Sequence, residues 1–189
     1  DATSGSNTLS RTYTWGLDLS QTTQGAGGIG GLLSMTNEAN SQTFYYAFDA
    51  NGNVTQLVDD SGNLSAHYEY SPFGQLTTST GRMADDNPFR FSTKYQDEAT
   101  GLLYYGFRSY DAVTGRWLSK DLIKEQGGVN VYGFVGNKSI DTVDYLGLKD
   151  CNCVLHCHTA PSVCPRTGSA IEQLRTVAGR LAPIIASMS

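Results

Sequence analysis

A recurring unit constrains this chain more than any other feature: an aromatic residue, a short oxygen-bearing side chain, and a glycine three or four positions later. It occurs as Phe48-Asp49 closing at Gly52, Tyr70-Ser71 closing at Gly74, Tyr95-Gln96-Asp97 closing at Gly101, and Tyr110-Asp111 closing at Gly115. In such a unit the aromatic ring packs, the polar side chain caps a turn, and glycine takes the positive φ. The segments between units alternate. Phe44, Tyr46 and Phe48 share one face, and Leu64, Ala66, Tyr68 and Tyr70 alternate with Ser65, His67 and Glu69. Asn51-Gly52 and Ser61-Gly62 are hairpin-turn dipeptides. Repeats at this spacing predict stacked or spiralling hairpins, and helical periodicity is absent before residue 169. The body therefore reads as all-β.

Composition narrows the function classes. With 13 Lys+Arg against 18 Asp+Glu, a net charge of −5 and an acidic pI, the chain lacks the basic footprint of a nucleic-acid binder. Charged residues make up only 16%, too few for a charge-expanded disordered chain. No run approaches the roughly 18 apolar residues of a membrane span. The chain starts at Asp1 without a visible signal peptide, which suggests a processed or excised piece of something longer. All four cysteines fall between positions 151 and 164, so the preceding body must be held by its core and its sheet ladders. That break near residue 150 is the first boundary signal. The glycine-rich stretch Gly25–Gly31 is followed by no Gly-Lys-Ser/Thr, so it reads as a tight turn or a close backbone approach rather than a phosphate loop.

The aromatic-Asp-Gly units resemble the YD repeats of Rhs proteins, toxin-complex C subunits and teneurins. From Asn87-Pro88-Phe89-Arg90-Phe91 through Gly115-Arg116-Trp117-Leu118-Ser119 to Gly147-Leu148, the chain is similar to the core segment that ends the Rhs shell. The resemblance implies a hollow β-shell, a C-terminal plug that curls inward, and a variable toxin beyond it. The implied organisation is a YD-repeat sheet over 1–86, core and plug over 87–148, and a variable tail over 149–189. In that family the shell encapsulates the toxin, which is often cut from the plug by the protein itself after the Leu of an Asp-Pro-x-Gly-Leu motif. Asp144-Tyr145-Leu146-Gly147-Leu148 matches it, placing the bond between Leu148 and Lys149.

Aspartyl-type cleavage needs two carboxylates at one site, sharing a proton. The resemblance points to Asp121 and Asp144 for these roles, with the basic residue before the first Asp being Lys120. Lysine keeps the charge that the family's arginine carries there, without its bidentate fork. The family's Asp-Pro is replaced twice, by Asp121-Leu122 and Asp144-Tyr145, so the turns lose the stiffness proline gives. Other residues read as structural. Tyr104-Tyr105, Phe107 and Tyr110 are expected to pack on a sheet face, Arg90, Arg108 and Arg116 to form ion pairs inside the sheet, and His67 to be solvent-exposed without a partner.

The tail holds Cys151, Cys153, His156, Cys157, His158 and Cys164, enough ligands for zinc but without paired Cys-x2-Cys knuckles. Metal binding, disulfides and free thiols all remain open. No cofactor is expected for the shell. Ser169 with Glu172 forms a capping box ahead of Ile171, Leu174, Val177, Ala178 and Leu181, predicting an amphipathic helix. The expected whole is a secreted or cell-surface-delivered bacterial effector whose partners are further YD repeats or copies of itself, an immunity protein and secretion components. An uncut adhesion or assembly module and a metal-binding toxin tail are the competing readings.

Overall fold

Alternating residues make strands because successive side chains point to opposite faces, and one face here is apolar. In the computed structural model, which describes residues 10–122, 129–140 and 142–148 and the backbone of 150–151, six such runs form one antiparallel meander. Its strands are β1 (Arg11–Trp15), β2 (Leu32–Asn37), β3 (Gln42–Phe48), β4 (Val54–Asp59), β5 (Leu64–Tyr70) and β6 (Leu76–Thr80), paired in chain order. A second antiparallel sheet follows, built of β7 (Tyr95–Gln96), β8 (Leu103–Tyr104), β9 (Ser109–Asp111) and β10 (Arg116–Trp117). Finally β11 (Val143–Asp144) pairs with β12 (Asp150–Cys151). The all-β expectation holds.

The turns between strands follow one chemical rule. Asp49 Oδ1 accepts the amides of Asn51 and Asn53, and the Gly52 amide donates to the Asp49 carbonyl. Asp59 repeats the arrangement with the amides of Ser61 and Asn63 and with Gly62. Asp97 binds the Thr100 amide, Asp111 the Val113 amide, and Ser71 Oγ the Gln75 amide. These amide bonds, assisted by Thr100 and Thr114 hydroxyls, pull the Asp59, Asp97 and Asp111 carboxyls below their ordinary pKa.

Under the first sheet lies a core of Met35, Phe44, Val54, Leu57, Ala66 and Tyr68, closed by Met83 and Ala84, with Tyr46, Phe48 and Tyr70 packed beside it. A second core is aromatic: Phe91, Tyr105, Tyr110, Trp117 and Phe134, with Tyr110 and Phe134 centroids 4.2 Å apart and Tyr105 edge-on to Trp117 at 5.0 Å. Tyr105 and Tyr110 thus pack as expected, whereas Tyr104 and Phe107 stay exposed. A third, small cluster of Ala26, Ile29 and Val143 fastens the glycine-rich loop to β11, with Leu19 and Tyr145 against it.

Some expectations are corrected. Leu64 does not share the buried face with Ala66 and Tyr68, because the β4–β5 register shifts between Leu57 and Val58 and the bulge turns it outward. His67 is half-buried, with Nε2 3.4 Å from Glu69. Arg90 forms no ion pair among the described contacts; it donates to the carbonyls of Asn87 and Ala84 and to Gln96, with its guanidinium over the Tyr68 ring. Arg116 is exposed in β10.

Removing a ring from the first core is expected to leave a cavity that the meander cannot collapse around. Phe44→Ala should lower unfolding free energy by about 3–5 kcal/mol in urea titration, with an unchanged slope.

Candidate active site

Three chain segments converge behind the second sheet. Arg108 directly precedes β9, Asp121 follows β10, and Asp144 ends β11. Local bonds set each in place. The Asp121 amide donates to the Val131 carbonyl at 3.0 Å, and the Phe107 amide donates to the Leu146 carbonyl at 3.2 Å. The Arg108 guanidinium stacks on Trp117, 4.1 Å from the ring centroid.

The centre of the site is one nitrogen. Arg108 Nη2 lies 3.0 Å from Asp121 Oδ2 and 3.4 Å from Asp144 Oδ2, and all three side chains are almost fully buried. The two carboxylate oxygens are therefore no further apart than the sum of those distances, 6.4 Å. Nε of the same guanidinium donates to the Gly147 carbonyl, one residue before Leu148. The family resemblance paired Asp121 with Asp144, and the fold brings both onto Arg108. It also substitutes the cation. Lys120 is exposed, and the positive charge between the carboxylates comes from Arg108.

Asp144 builds the turn itself. Its Oδ1 accepts the amides of Leu146 at 3.2 Å, Gly147 at 2.7 Å and Leu148 at 3.1 Å. Gly147 sits at φ +73°, a left-handed conformation that closes the turn, and an added Cβ would crowd Arg108 and Tyr105 at 3.3 Å. The spacing matches the Asp59-to-Gly62 turn of the first sheet, moved into the interior, but the glycine amide that there bonds the Asp59 carbonyl here bonds the Asp144 carboxylate. With Asp144 opposite Asp150 and Val143 opposite Cys151, the Leu148–Lys149 bond falls in the loop of a hairpin. Lys149 itself lies outside the described residues, as do Cys153, His156, Cys157, His158, Cys164 and the helix expected after Ser169; of Cys151 only the backbone is described. Among the described residues no cluster of His, Cys, Asp and Glu could hold a metal.

Two contributors escaped the sequence reading. Lys94 is buried, and its Nζ donates to the carbonyls of Gly27 and Tyr145, each at 2.9 Å. Burial pushes its ammonium down to about 8, against the raising influence of Asp144 and Asp18. Asp18 is 2% exposed and gathers the glycine-rich loop, accepting the amides of Ala26 and Gly28 on Oδ2 and of Ser20 on Oδ1. The only signal for either was its charge type, which says nothing about burial.

A shell of Asp-capped antiparallel hairpins, ending in a buried carboxylate–guanidinium cluster against a tight turn, defines the class as a YD-shell β protein. The teneurin YD-shell family matches residues 27–140, more than half of the chain, and the protein belongs to that family. Toxin subunit YenC1 of Yersinia entomophaga is 37% identical over 116 residues, covering 60% of this chain and 12% of that protein. The tRNA3(Ser)-specific nuclease WapA of Bacillus spizizenii is 31% identical over 147 residues, 75% of this chain and 6% of the nuclease. Double-stranded DNA deaminase toxin A of Burkholderia cenocepacia is 34% identical over 111 residues, 57% of this chain and 8% of the toxin. The solved TcdB2–TccC3 without its hypervariable C-terminal region superposes with a TM-score of 0.56 at 31% identity, covering 61% of this chain and 6% of that one. The chain thus spans a small fraction of the length of these relatives. The Rhs and toxin-complex resemblance is borne out.

Two measurements test the site's electrostatics. Arg108→Met strips the cation from two buried carboxylates and should cost about 3–5 kcal/mol of stability in denaturant titration. Lys94 releases its proton near pH 8 when folded but at about 10.5 when unfolded, so between these values the unfolded chain binds more protons and stability rises with pH. Relative to Lys94→Met, the wild type should gain roughly 2 kcal/mol from pH 8 to 10, read from paired urea titrations.

Proposed function

We propose that this chain is the C-terminal part of a YD shell that encloses the segment after Leu148 and frees it by cutting its own backbone between Leu148 and Lys149. The observation that carries this is the placement of Asp121 and Asp144 on one buried guanidinium, against the turn that ends at Leu148. The relatives support a carrier role: proteins named for DNA deamination, tRNA cleavage and toxin-subunit assembly have this segment in common, so the shared part is the housing and not the attacking activity. One solved relative is described as being without its hypervariable C-terminal region, and we read residues 149–189 as the corresponding part of this chain.

The chemistry is one hydrolysis. Water adds to the Leu148 carbonyl carbon, one of its protons passes to a carboxylate, and the C–N bond to Lys149 breaks. The departing nitrogen takes a proton back, leaving a Leu148 carboxylate and a Lys149 amine. Because Asp144 Oδ1 already holds three amides of the turn, we assign the proton transfers to Asp121 and the aiming of the bond to Asp144. Arg108 supplies the fixed positive charge against which an oxyanion forms, in a site that excludes water elsewhere. Its partners are the remaining YD repeats and toxin-complex components, and its cargo is delivered outside the producing bacterium, with an immunity protein guarding the producer. The tail is the cargo or its beginning. Among the described residues no helix is long and apolar enough to cross a membrane.

Intact-mass measurement of the purified full chain tests the reading. Wild type should separate into fragments ending at Leu148 and beginning at Lys149, while Asp121→Asn and Asp144→Asn remain whole. A wild-type chain still whole after prolonged incubation overturns it and favours an uncut assembly module.

A further inference from the structure

Lys94 is a buried ionisable group that the proposed hydrolysis does not use. Taking an ammonium out of water is costly unless it is hydrogen-bonded, so its partners identify its purpose. They are carbonyls rather than carboxylates, and they come from distant parts of the chain: Gly27, 67 residues before it, and Tyr145, 51 residues after it. The Tyr105 ring lies beneath the ammonium, 5.2 Å from its centroid. Asp144 and Asp18 supply the compensating negative field. The neighbouring side chain does similar work. Thr93 Oγ1 accepts the Gly30 amide and donates to the Gly52 carbonyl, so Thr93 and Lys94 together seat the glycine-rich loop.

The loop is shaped for this contact. Gly27 sits at φ +61°, and a Cβ there would overlap the Tyr145 carbonyl oxygen. The loop backbone and the turn backbone therefore approach as closely as glycine permits, with the lysine bridging them. Tyr145 is the residue after Asp144, so fixing its carbonyl fixes the peptide plane that carries the Leu146 amide, the first of the three that Asp144 gathers.

We propose that Lys94 is a positioning residue for the 144–148 turn: it fastens the Tyr145 carbonyl to the glycine-rich loop between β1 and β2, so that the turn is aimed only when that loop is seated. The consequence for cutting rests on the self-cleavage reading above, whereas the clamp itself does not. A shell whose N-terminal hairpins are misplaced would keep its cargo attached, because the lysine would lack one of its two anchors.

The test uses the full chain in two backgrounds. In the Asp121→Asn background, where no cutting is expected, hydrogen exchange reads the turn directly. Lys94→Met should raise exchange at the amides of Gly147 and Leu148 at least ten-fold, with those of Phe44 and Leu57 unchanged, and Lys94→Arg should restore part of the protection. Gly27→Ala leaves the lysine in place and should loosen the same amides, which keeps the idea testable if Lys94→Met fails to fold. In the otherwise wild-type chain made by cell-free translation, Lys94→Met should slow appearance of the Leu148-ended fragment at least ten-fold, and Lys94→Arg should recover part of the rate. Unchanged exchange at 147 and 148 in both Lys94→Met and Gly27→Ala overturns the clamp. Loosened amides in a chain whose wild type never cuts would uphold the clamp and sink only the cleavage reading.

Discussion

A guanidinium buried among aromatic rings, with two carboxylates and a backbone carbonyl around it, is the interaction on which the C-terminal half depends. Arg108 touches Asp121, Asp144 and Gly147, and its flat face rests on Trp117. Asp121 belongs to one segment and Asp144 and Gly147 to another, so the cation serves as the joint between β9, the strand-end after β10 and the 144–148 turn. Such a joint is costly to desolvate and favourable only when every donor is used. The Trp117 ring offsets part of that cost by offering the cation a negatively polarised face. A lysine at this position would have one point of charge for three directions.

The same turn grammar serves opposite ends in the two halves. Around Asp49 and Asp59, a carboxylate collecting amides at positions two and four residues later ends a hairpin in or near solvent. Around Asp144 a similar arrangement is buried: Oδ1 takes the Gly147 amide as well, and Oδ2 faces the buried Arg108, where Asp59 Oδ2 meets the exposed Arg82. What differs most is the surroundings, not the local motif. A structural repeat can in this way be turned into a candidate reactive site without changing its backbone, once a cation and a second carboxylate are brought to it.

This explains what was legible in the sequence. The strands and the Asp-Gly turns are local or periodic, and they could be read directly; the pairing of Asp121 with Asp144 came from the family resemblance alone. The outward turn of Leu64 could not, because a single register shift between Leu57 and Val58 reverses the faces beyond it. Nor could the exchange of Lys120 for Arg108, since the nearer basic residue in sequence is the farther one in the fold. Lys94 and Asp18 act across separations of 51 residues and more, or inside an irregular glycine-rich loop, where neither period nor spacing carries information.

The β11–β12 hairpin has a consequence for what happens after a cut. Before it, the two strands are held together by their own loop, and closure of so short a loop costs little entropy. Afterwards the same two-residue ladder, with Val143 opposite Cys151 and Asp144 opposite Asp150, joins two separate chains. Its hold then depends on effective concentration: strong inside a closed compartment, negligible once the compartment opens and the partner can diffuse away. Under the self-cleavage proposed above, bond breakage and departure would thereby be separate events, the first timed by folding and the second by dilution.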